Sequence, residues 1–224
     1  MLKKAAIEMG FLLDSKSFMT DFEFGLIKAI IFHFNSAELK GCHFHFSQCL
    51  WRHLSTIDLK RKYSTNSNFR LWIKKIISLA FVPLDMIDSV YDIIKRDIPK
   101  NEKISTDKML SYFESTLSNR RFGRVIWNHS NTQGPRTNNN LEGFHSKFNH
   151  LHIFKLIKLF QGFEALYAVK FERIKNGLEV VKRRKEYVDQ DKNIKALNED
   201  LRNNLITSEN FISQAAYLIG TDAK

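Results

Sequence analysis

Proline, glycine and cysteine are scarce in this sequence of 224 residues. With 3 Pro and 9 Gly, few positions interrupt a helix, so long helices are expected. The 2 Cys cannot form a disulfide framework, which favours a reducing compartment. No apolar run approaches the roughly 20 residues needed to cross a bilayer, so we expect no membrane-spanning segment and no membrane partner.

Aromatic residues and positive charge are abundant instead. The 19 Phe and a hydrophobic fraction of 43% predict a globular protein with a substantial core. The formal net charge is +11 and the pI is near 9.6, which suggests an acidic partner. Nucleic acid is the first candidate and an anionic membrane surface the second, and of these two we expect nucleic acid and not a membrane; a generally lysine-rich proteome is the alternative explanation.

Two short strands, each followed by a helix, are predicted near the N-terminus. The apolar run over residues 17–21 predicts a buried strand that delivers Asp21 at its C-terminal edge. Helical spacing over 22–35 predicts a helix that starts where this strand ends. A second strand is predicted over 38–44, and helical spacing resumes over 45–57.

The rest of the chain is predicted to be mainly helical. Apolar residues recur at helical spacing in five further stretches, at residues 67–80, 84–97, 105–117, 153–176 and 178–205. The polar stretch 118–140 is different, and we interpret it as an irregular loop with a short element at 125–127.

Four short motifs follow one another along the chain. They are residues 19–23 (MTDFE), 41–45 (GCHFH), 79–83 (LAFVP) and 136–145 (RTNNNLEGFH). Together they resemble the catalytic domain of Mutator-like element (MULE) transposases. That family carries an acid in a TDFE-like strand, then Cys-x-x-His, and RTNN-x-x-E-x-x-H after a helical insertion. Each motif alone is a weak signal, and the four in this order are specific.

The resemblance implies a fold of the α/β class that is predominantly helical. It would be a truncated RNase H-like fold, with a helical insertion at about 46–120 between the second Asp and the Glu of the family. The partial catalytic domain would cover residues 1–165, and residues 166–224 would form a C-terminal helical extension.

The resemblance also implies a set of metal-binding carboxylates. Family members hold two divalent cations with two Asp and one Glu; Asp21 matches the second Asp and Glu142 matches the Glu. Two Mg²⁺ or Mn²⁺ ions about 4 Å apart would activate the nucleophile and stabilise the leaving oxygen of a phosphodiester. No residue matches the first Asp, so we expect an incomplete site without productive metal binding, and a chain that is inactive alone.

The residues taken by themselves leave alternatives open. Asp21 could be the N-cap of the following helix, and Glu142 could be a first-turn acid favoured by the helix dipole. Cys42 and His45 match the family's Cys-x-x-His pair and have the spacing of half a zinc site. Zinc needs about four ligands, so a buried thiol and a hydrogen-bonded His are the alternative.

Basic residues near these motifs are candidates for binding DNA. Arg136 lies in the last motif, where an anion contact and simple solvation are both compatible with the sequence; His145 and Lys147 follow it. Arg61 and Lys62 belong to a stretch from residue 40 to 75 that has eight basic residues and one acid. Such residues would contact phosphates without reading sequence.

The function implied by the resemblance is DNA transposition. Complete relatives cleave DNA and transfer strands at transposon ends in the nucleus; without the resemblance, a cytoplasmic protein would be expected. Whether this chain is itself an enzyme stays open, because its triad is incomplete. The alternative is a non-catalytic module that binds DNA or a protein, and a second copy of the chain is a further candidate partner.

Overall fold

Helices dominate the part of the chain that the structure, a computed structural model, describes. The described residues are 2–8, 10, 12–100, 102–118, 123–139, 143, 153–178 and 184–219. Their contacts divide the chain into two units. The first unit is Met1–Thr137 with Asn193–Lys224, and the second is Asn138–Lys192. The domain boundaries expected from the sequence stay a prediction.

The strands of the first unit form a parallel pair. Strand β1 (Ser17–Thr20) lies beside β2 (Glu38–Gly41), in a register that pairs Ser17 with Glu38 and Thr20 with Gly41. Parallel strands need a crossover, and helix α2 (Phe24–His33) provides it, with Ile27 and Ile30 buried. The two predicted strands and the helix between them are present, but the predicted end of the second strand at residue 44 is wrong: β2 ends at Gly41, and residues 43 and 44 already belong to the next helix.

The first residue of α2 shows whether Asp21 can be the N-cap of that helix. Glu23 occupies the N-cap position and Phe24 is the first helical residue. Asp21 therefore lies in the loop between strand and helix, so the interpretation of Asp21 as an N-cap is wrong. A short helix, α1 (Leu2–Glu8), precedes β1.

Helices form the rest of the first unit. Their bounds are α3 (His43–Thr56), α4 (Lys60–Thr65), α5 (Ser67–Ser78), α6 (Ile87–Arg96), α7 (Lys103–Tyr112), α8 (Arg124–Trp127) and α11 (Ser208–Leu218). A π-helical segment, Phe113–Ser118, continues α7. The Asn66 side chain caps α5 by accepting hydrogen bonds from the N–H groups of Asn68 and Phe69. Pro83 comes shortly after the 3-10 turn Leu79–Phe81 that ends the α5 segment.

One hydrophobic core joins the strand region to the helices. Phe46 of α3 stacks on Trp127 of α8, with 5.2 Å between ring centroids. The indole N–H of Trp127 donates to the carbonyl of Leu117 at 2.5 Å. In α11, Phe211 and Ile212 are fully buried in the same core as Trp72. The sequence analysis predicted no element after residue 205, so α11 is an addition from the structure.

The second unit is built on the long helix α9 (Ile153–Lys175). It ends in a Schellman arrangement: the N–H of Gly177 donates to the carbonyl of Ile174, and the N–H of Leu178 donates to that of Arg173. The φ of Gly177 is +70°, a conformation that glycine adopts without strain. Helix α10 (Lys185–Arg202) spans the boundary, and its residues 193–202 belong to the first unit.

The length and apolar character of a helix determine whether it could span a membrane. Over the residues that the structure describes, no helix combines the length and the apolar character needed to cross a bilayer. The longest of them, α9, carries charged side chains along its whole length, among them Lys158, Glu164 and Lys170.

Candidate functional site at the strand ends

The carboxyl ends of β1 and β2 lie side by side. Because the strands are parallel, Asp21 and Cys42, which directly follow them, occupy the same edge of the sheet. The N–H of Cys42 donates to the carbonyl of Thr20 at 2.6 Å, so the pairing continues to the last residue of β1. Asp21 is half-buried and Cys42 is fully buried. Polar side chains at such an edge are well placed for binding.

The ring of Phe22 packs against the end of β2. A Cβ atom added to Gly41 would lie 2.6 Å from Cζ of Phe22, closer than real Cβ atoms come to a neighbour. Phe22 also contacts Phe46 of α3, with 6.4 Å between centroids. The absence of a side chain at Gly41 thus lets Phe22 anchor the loop that presents Asp21.

His129 links two segments that are far apart in sequence. Its backbone N–H donates to the carbonyl of Ala80 at 2.6 Å, and its Nε2 is 2.8 Å from the carbonyl oxygen of Gly41. A carbonyl only accepts, so Nε2 carries the proton, and Nδ1 accepts from the hydroxyl of Thr132 at 3.1 Å. The neutral ring therefore ties the end of β2 to the loop after α8.

Asn128 and Lys40 hold the same loop in place. Nδ2 of Asn128 donates to the carbonyl of Val82 at 2.7 Å, and Oδ1 accepts from the hydroxyl and the N–H of Ser130. The ammonium of Lys40 donates to the carbonyls of Asn128 and Val125 at 2.9 and 3.1 Å. Buried polar groups satisfied in this way give the loop one defined position.

His43 lies between aromatic and cationic neighbours. Its ring is 4.7 Å from that of Phe81 and 6.0 Å from that of His129. Burial, followed by repulsion from His129 and Arg136, lowers the pKa of His43 to about 3. Its Nε2 is inaccessible to solvent and has no hydrogen-bond partner within the described part of the chain.

His129 is also held neutral. Burial lowers its pKa to about 4, although the hydrogen bond to the carbonyl of Gly41 opposes this shift. Lys40 and Arg136 add to the lowering, because a second positive charge beside them is unfavourable. Among the described residues, Lys40 and Arg136 therefore carry positive charge near the strand ends, whereas both histidines are uncharged at neutral pH.

Arg136 brings the start of the last motif to this edge. Its backbone carbonyl accepts a hydrogen bond from the N–H of His43 at 2.8 Å. Its guanidinium lies over the ring of Phe81, 5.2 Å from the centroid, within the range of a cation–π interaction. Motifs at 41–45, 79–83 and 136–145 thus meet through His43, Phe81 and Arg136.

The metal-binding candidates are only partly described. Cys42 is at the N-cap position of α3, and His45 is in its first turn with Nδ1 inaccessible to solvent. Across the described ranges, His, Cys, Asp and Glu form no group of three or more that could hold a metal ion. Glu142, the expected partner of Asp21, lies outside the described residues.

The predicted DNA contacts lie in different surroundings. Arg61 on α4 is exposed. The neighbouring Lys62 forms an ion pair of 2.5 Å with Glu102, and its ammonium is 3.2 Å from the hydroxyl of Ser105. Its charge is therefore compensated within the first unit. His145 and Lys147 lie outside the described residues.

Three residues of this site were not singled out in the sequence analysis as site residues, namely His43, Asn128 and His129. The signal available for the last two was the pair Asn-His directly after the short element at 125–127. Their roles depend on hydrogen bonds to Val82 and Gly41, which the local sequence does not reveal.

Known proteins offer no guide to the class of this chain. Comparisons with protein-family models, with curated proteins and with solved structures found no match. An interpretation of the strand ends therefore rests on the four motifs and on the contacts between them. Of these contacts, the hydrogen bond between His43 and Arg136 joins the second motif to the last one.

Proposed function

We propose that this chain carries part of the catalytic core of a DDE-type DNA transposase of the MULE kind, with an RNase H-like sheet. The observation that supports the proposal is the 2.8 Å hydrogen bond from the N–H of His43 to the carbonyl of Arg136. It holds Arg136, the first residue of the motif that contains Glu142, beside the residues that follow β2. In the proposal, Asp21 and Glu142 act together as ligands of the catalytic metal.

Asp21 and Glu142 fit the donor chemistry of the proposed metal. Carboxylate oxygens are the hard ligands that Mg²⁺ and Mn²⁺ prefer. When bound, two such ions would activate a nucleophile and stabilise a leaving oxygen on phosphate. With no residue matching the family's first Asp, two carboxylates would hold a cation weakly. We therefore propose that the chain alone does not cleave DNA.

The charges around the strand ends suit a phosphate backbone. Lys40 and Arg136 are cationic, while His43 and His129 have lowered pKa values and carry no charge at neutral pH. In the proposal, the guanidinium of Arg136 contacts a phosphate, and His145 and Lys147 extend that contact along the DNA.

A nicking assay tests the proposal. Supercoiled plasmid would be incubated with the 224-residue chain in Mg²⁺ or Mn²⁺, with Asp21→Ala as the matched variant. We expect no metal-dependent conversion to the nicked form by either protein. Nicking that requires metal and disappears in Asp21→Ala would contradict the proposed inactivity.

A second candidate function is DNA binding without chemistry. The net charge of +11 favours it, and Arg61 is exposed on α4. Affinity for a duplex of arbitrary sequence would then fall steeply with added salt, because bound cations are released from the phosphates. Fluorescence anisotropy between roughly 50 and 200 mM salt measures this slope.

Two neighbouring residues give a matched pair for that measurement. Arg61→Ala should weaken binding to all sequences alike and reduce the salt slope by about 1. Lys62→Ala should change the slope less, because Glu102 already compensates the Lys62 charge. Absence of binding at low salt, or equal slopes for all three proteins, would contradict a DNA contact at α4.

A further inference from the structure

Helix α9 carries a row of large apolar side chains on its surface. Ile157, Phe160, Tyr167, Phe171 and Ile174 are each between 48% and 67% exposed. Glu164 lies between Phe160 and Tyr167 in the same row. With Glu164 included, the spacing between successive residues alternates between three and four, so the six residues occupy the a and d positions of three consecutive heptads. We call these six residues, Glu164 included, the α9 seam.

The seam has the period of a helix that pairs with another helix. An a/d repeat of 3.5 residues per turn keeps one narrow stripe in contact along the whole length of a partner. Val169 lies on the opposite side of α9 and is outside the stripe, although it is 60% exposed. The exposed apolar surface of α9 thus includes a continuous stripe with a defined geometry.

We propose that a second copy of this chain pairs with α9 in the antiparallel direction. Placing a twofold axis between Glu164 and Tyr167 aligns the a positions of one copy with the d positions of the other. Ile157 then faces Ile174 of the second copy, and Phe160 faces Phe171 in the same way. Every apolar seam residue except Tyr167 meets another apolar seam residue.

The polar layer at the centre selects the antiparallel direction. Glu164 of each copy faces Tyr167 of the other, so the phenol hydroxyl can donate to the carboxylate. The ammonium of Lys170 lies over the ring of Tyr167, 5.3 Å from the centroid, and brings a positive charge to the same layer. A parallel pair in register would instead place Glu164 against Glu164, and like charges there are unfavourable.

The area of the seam is sufficient for specific pairing. Five half-exposed large side chains offer on the order of 500 Å² per copy, so two copies would bury about 1,000 Å². That is near the lower end of specific interfaces, so the dimer should dissociate on dilution. The inference concerns a surface of the second unit and does not depend on the proposed transposase function.

Light scattering during size-exclusion chromatography tests the pairing. The chain has a mass of 26.3 kDa, and we expect twice that mass at high protein concentration. Phe171→Glu should weaken dimerisation at least tenfold, whereas Val169→Glu, on the same helix but outside the seam, should leave it unchanged. Circular dichroism would confirm that both variants fold alike. A monomer at all concentrations, or a dimer that Phe171→Glu leaves intact, would overturn the proposal.

Cysteine cross-linking tests the direction. In the antiparallel pair, residue 157 of one copy faces residue 174 of the other, and the two residues 157 are about 25 Å apart at 1.5 Å per residue. A mixture of Ile157→Cys and Ile174→Cys chains should therefore form disulfide-linked dimers, whereas Ile157→Cys alone should not exceed the wild-type background. Cross-linking of Ile157→Cys alone would show a parallel pair and overturn the arrangement.

Another occupant of the seam would give a different result. If α9 binds DNA, the chain would remain a monomer, and Phe171→Glu would reduce DNA affinity. That outcome would also overturn self-pairing. Failure of the nicking or DNA-binding tests above would leave the dimer measurement unaffected, so the two proposals can fail separately.

Discussion

Acidification from pH 7 to pH 5 should destabilise the strand-end site through His43 and His129. Their pKa values are lowered from 6.5 to about 3 and about 4 in the folded chain. At pH 5 both rings are neutral in the folded state and protonated in the unfolded state. Above about pH 6.5 the two histidines therefore leave the free energy of unfolding at its full value. That free energy decreases as the pH falls from about 6.5 towards the pKa values of the folded chain.

The size of the effect follows from proton linkage. With a pKa of about 6.5 in the unfolded chain, each histidine lowers the free energy of unfolding by about 2 kcal/mol between pH 7 and pH 5. The two together should lower it by about 4 kcal/mol, which is a large fraction of the stability of a typical domain.

Urea unfolding followed by tryptophan fluorescence measures this difference, because Trp72 and Trp127 are buried and change environment on unfolding. His43→Phe should reduce the loss of stability between pH 7 and pH 5 by about 2 kcal/mol relative to wild type. The matched control is His33→Gln at an exposed position, which should leave the pH dependence unchanged. Equal pH dependence of His43→Phe and wild type would refute the neutral, buried state of His43.

Two further predictions concern packing. Gly41→Ala should lower the free energy of unfolding by about 1–3 kcal/mol, because the new Cβ would lie 2.6 Å from the ring beside it. Gly25→Ala, where a Cβ meets nothing within 4 Å, should be neutral or stabilising; equal destabilisation by both would contradict the close approach. Phe211→Ala should cost about 3–5 kcal/mol as a core deletion, measured by thermal unfolding, and a change below about 1 kcal/mol would show that α11 is not packed as described.

Local patterns were sufficient for the elements that dominate the first unit. The apolar run over 17–21 predicted β1, the second strand was predicted about three residues too long, and the helical spacing between the strands predicted the helix α2. Helix α4 escaped prediction because it has six residues, too few for a periodic signal. Helix α11 did carry a signal, since Thr207 caps it and Phe211 and Ala215 are one turn apart on its buried side.

The contacts of the candidate site could be predicted only in part from local sequence patterns. Asp21 could be expected at the end of its strand, whereas Cys42 lay inside the predicted strand 38–44; it follows β2 in the structure because that strand ends at Gly41. The position of His129 could not be predicted, since its ring bonds to a carbonyl 88 residues away in sequence. Likewise, the spacing of basic residues could not reveal that Lys62 is paired with Glu102, because that contact depends on how α4 packs against the segment before α7.

Manganese binding tests the central proposal most directly. Titration of Mn²⁺ followed by electron paramagnetic resonance would compare wild type with Asp21→Asn, Glu142→Gln and the double variant. If the two carboxylates share one ion, each single substitution should reduce the affinity for Mn²⁺. The double variant should then have the same Mn²⁺ affinity as the single variant that binds less tightly. Mn²⁺ affinity that neither substitution changes, or effects of the two substitutions that add independently, would contradict a metal ion shared by Asp21 and Glu142.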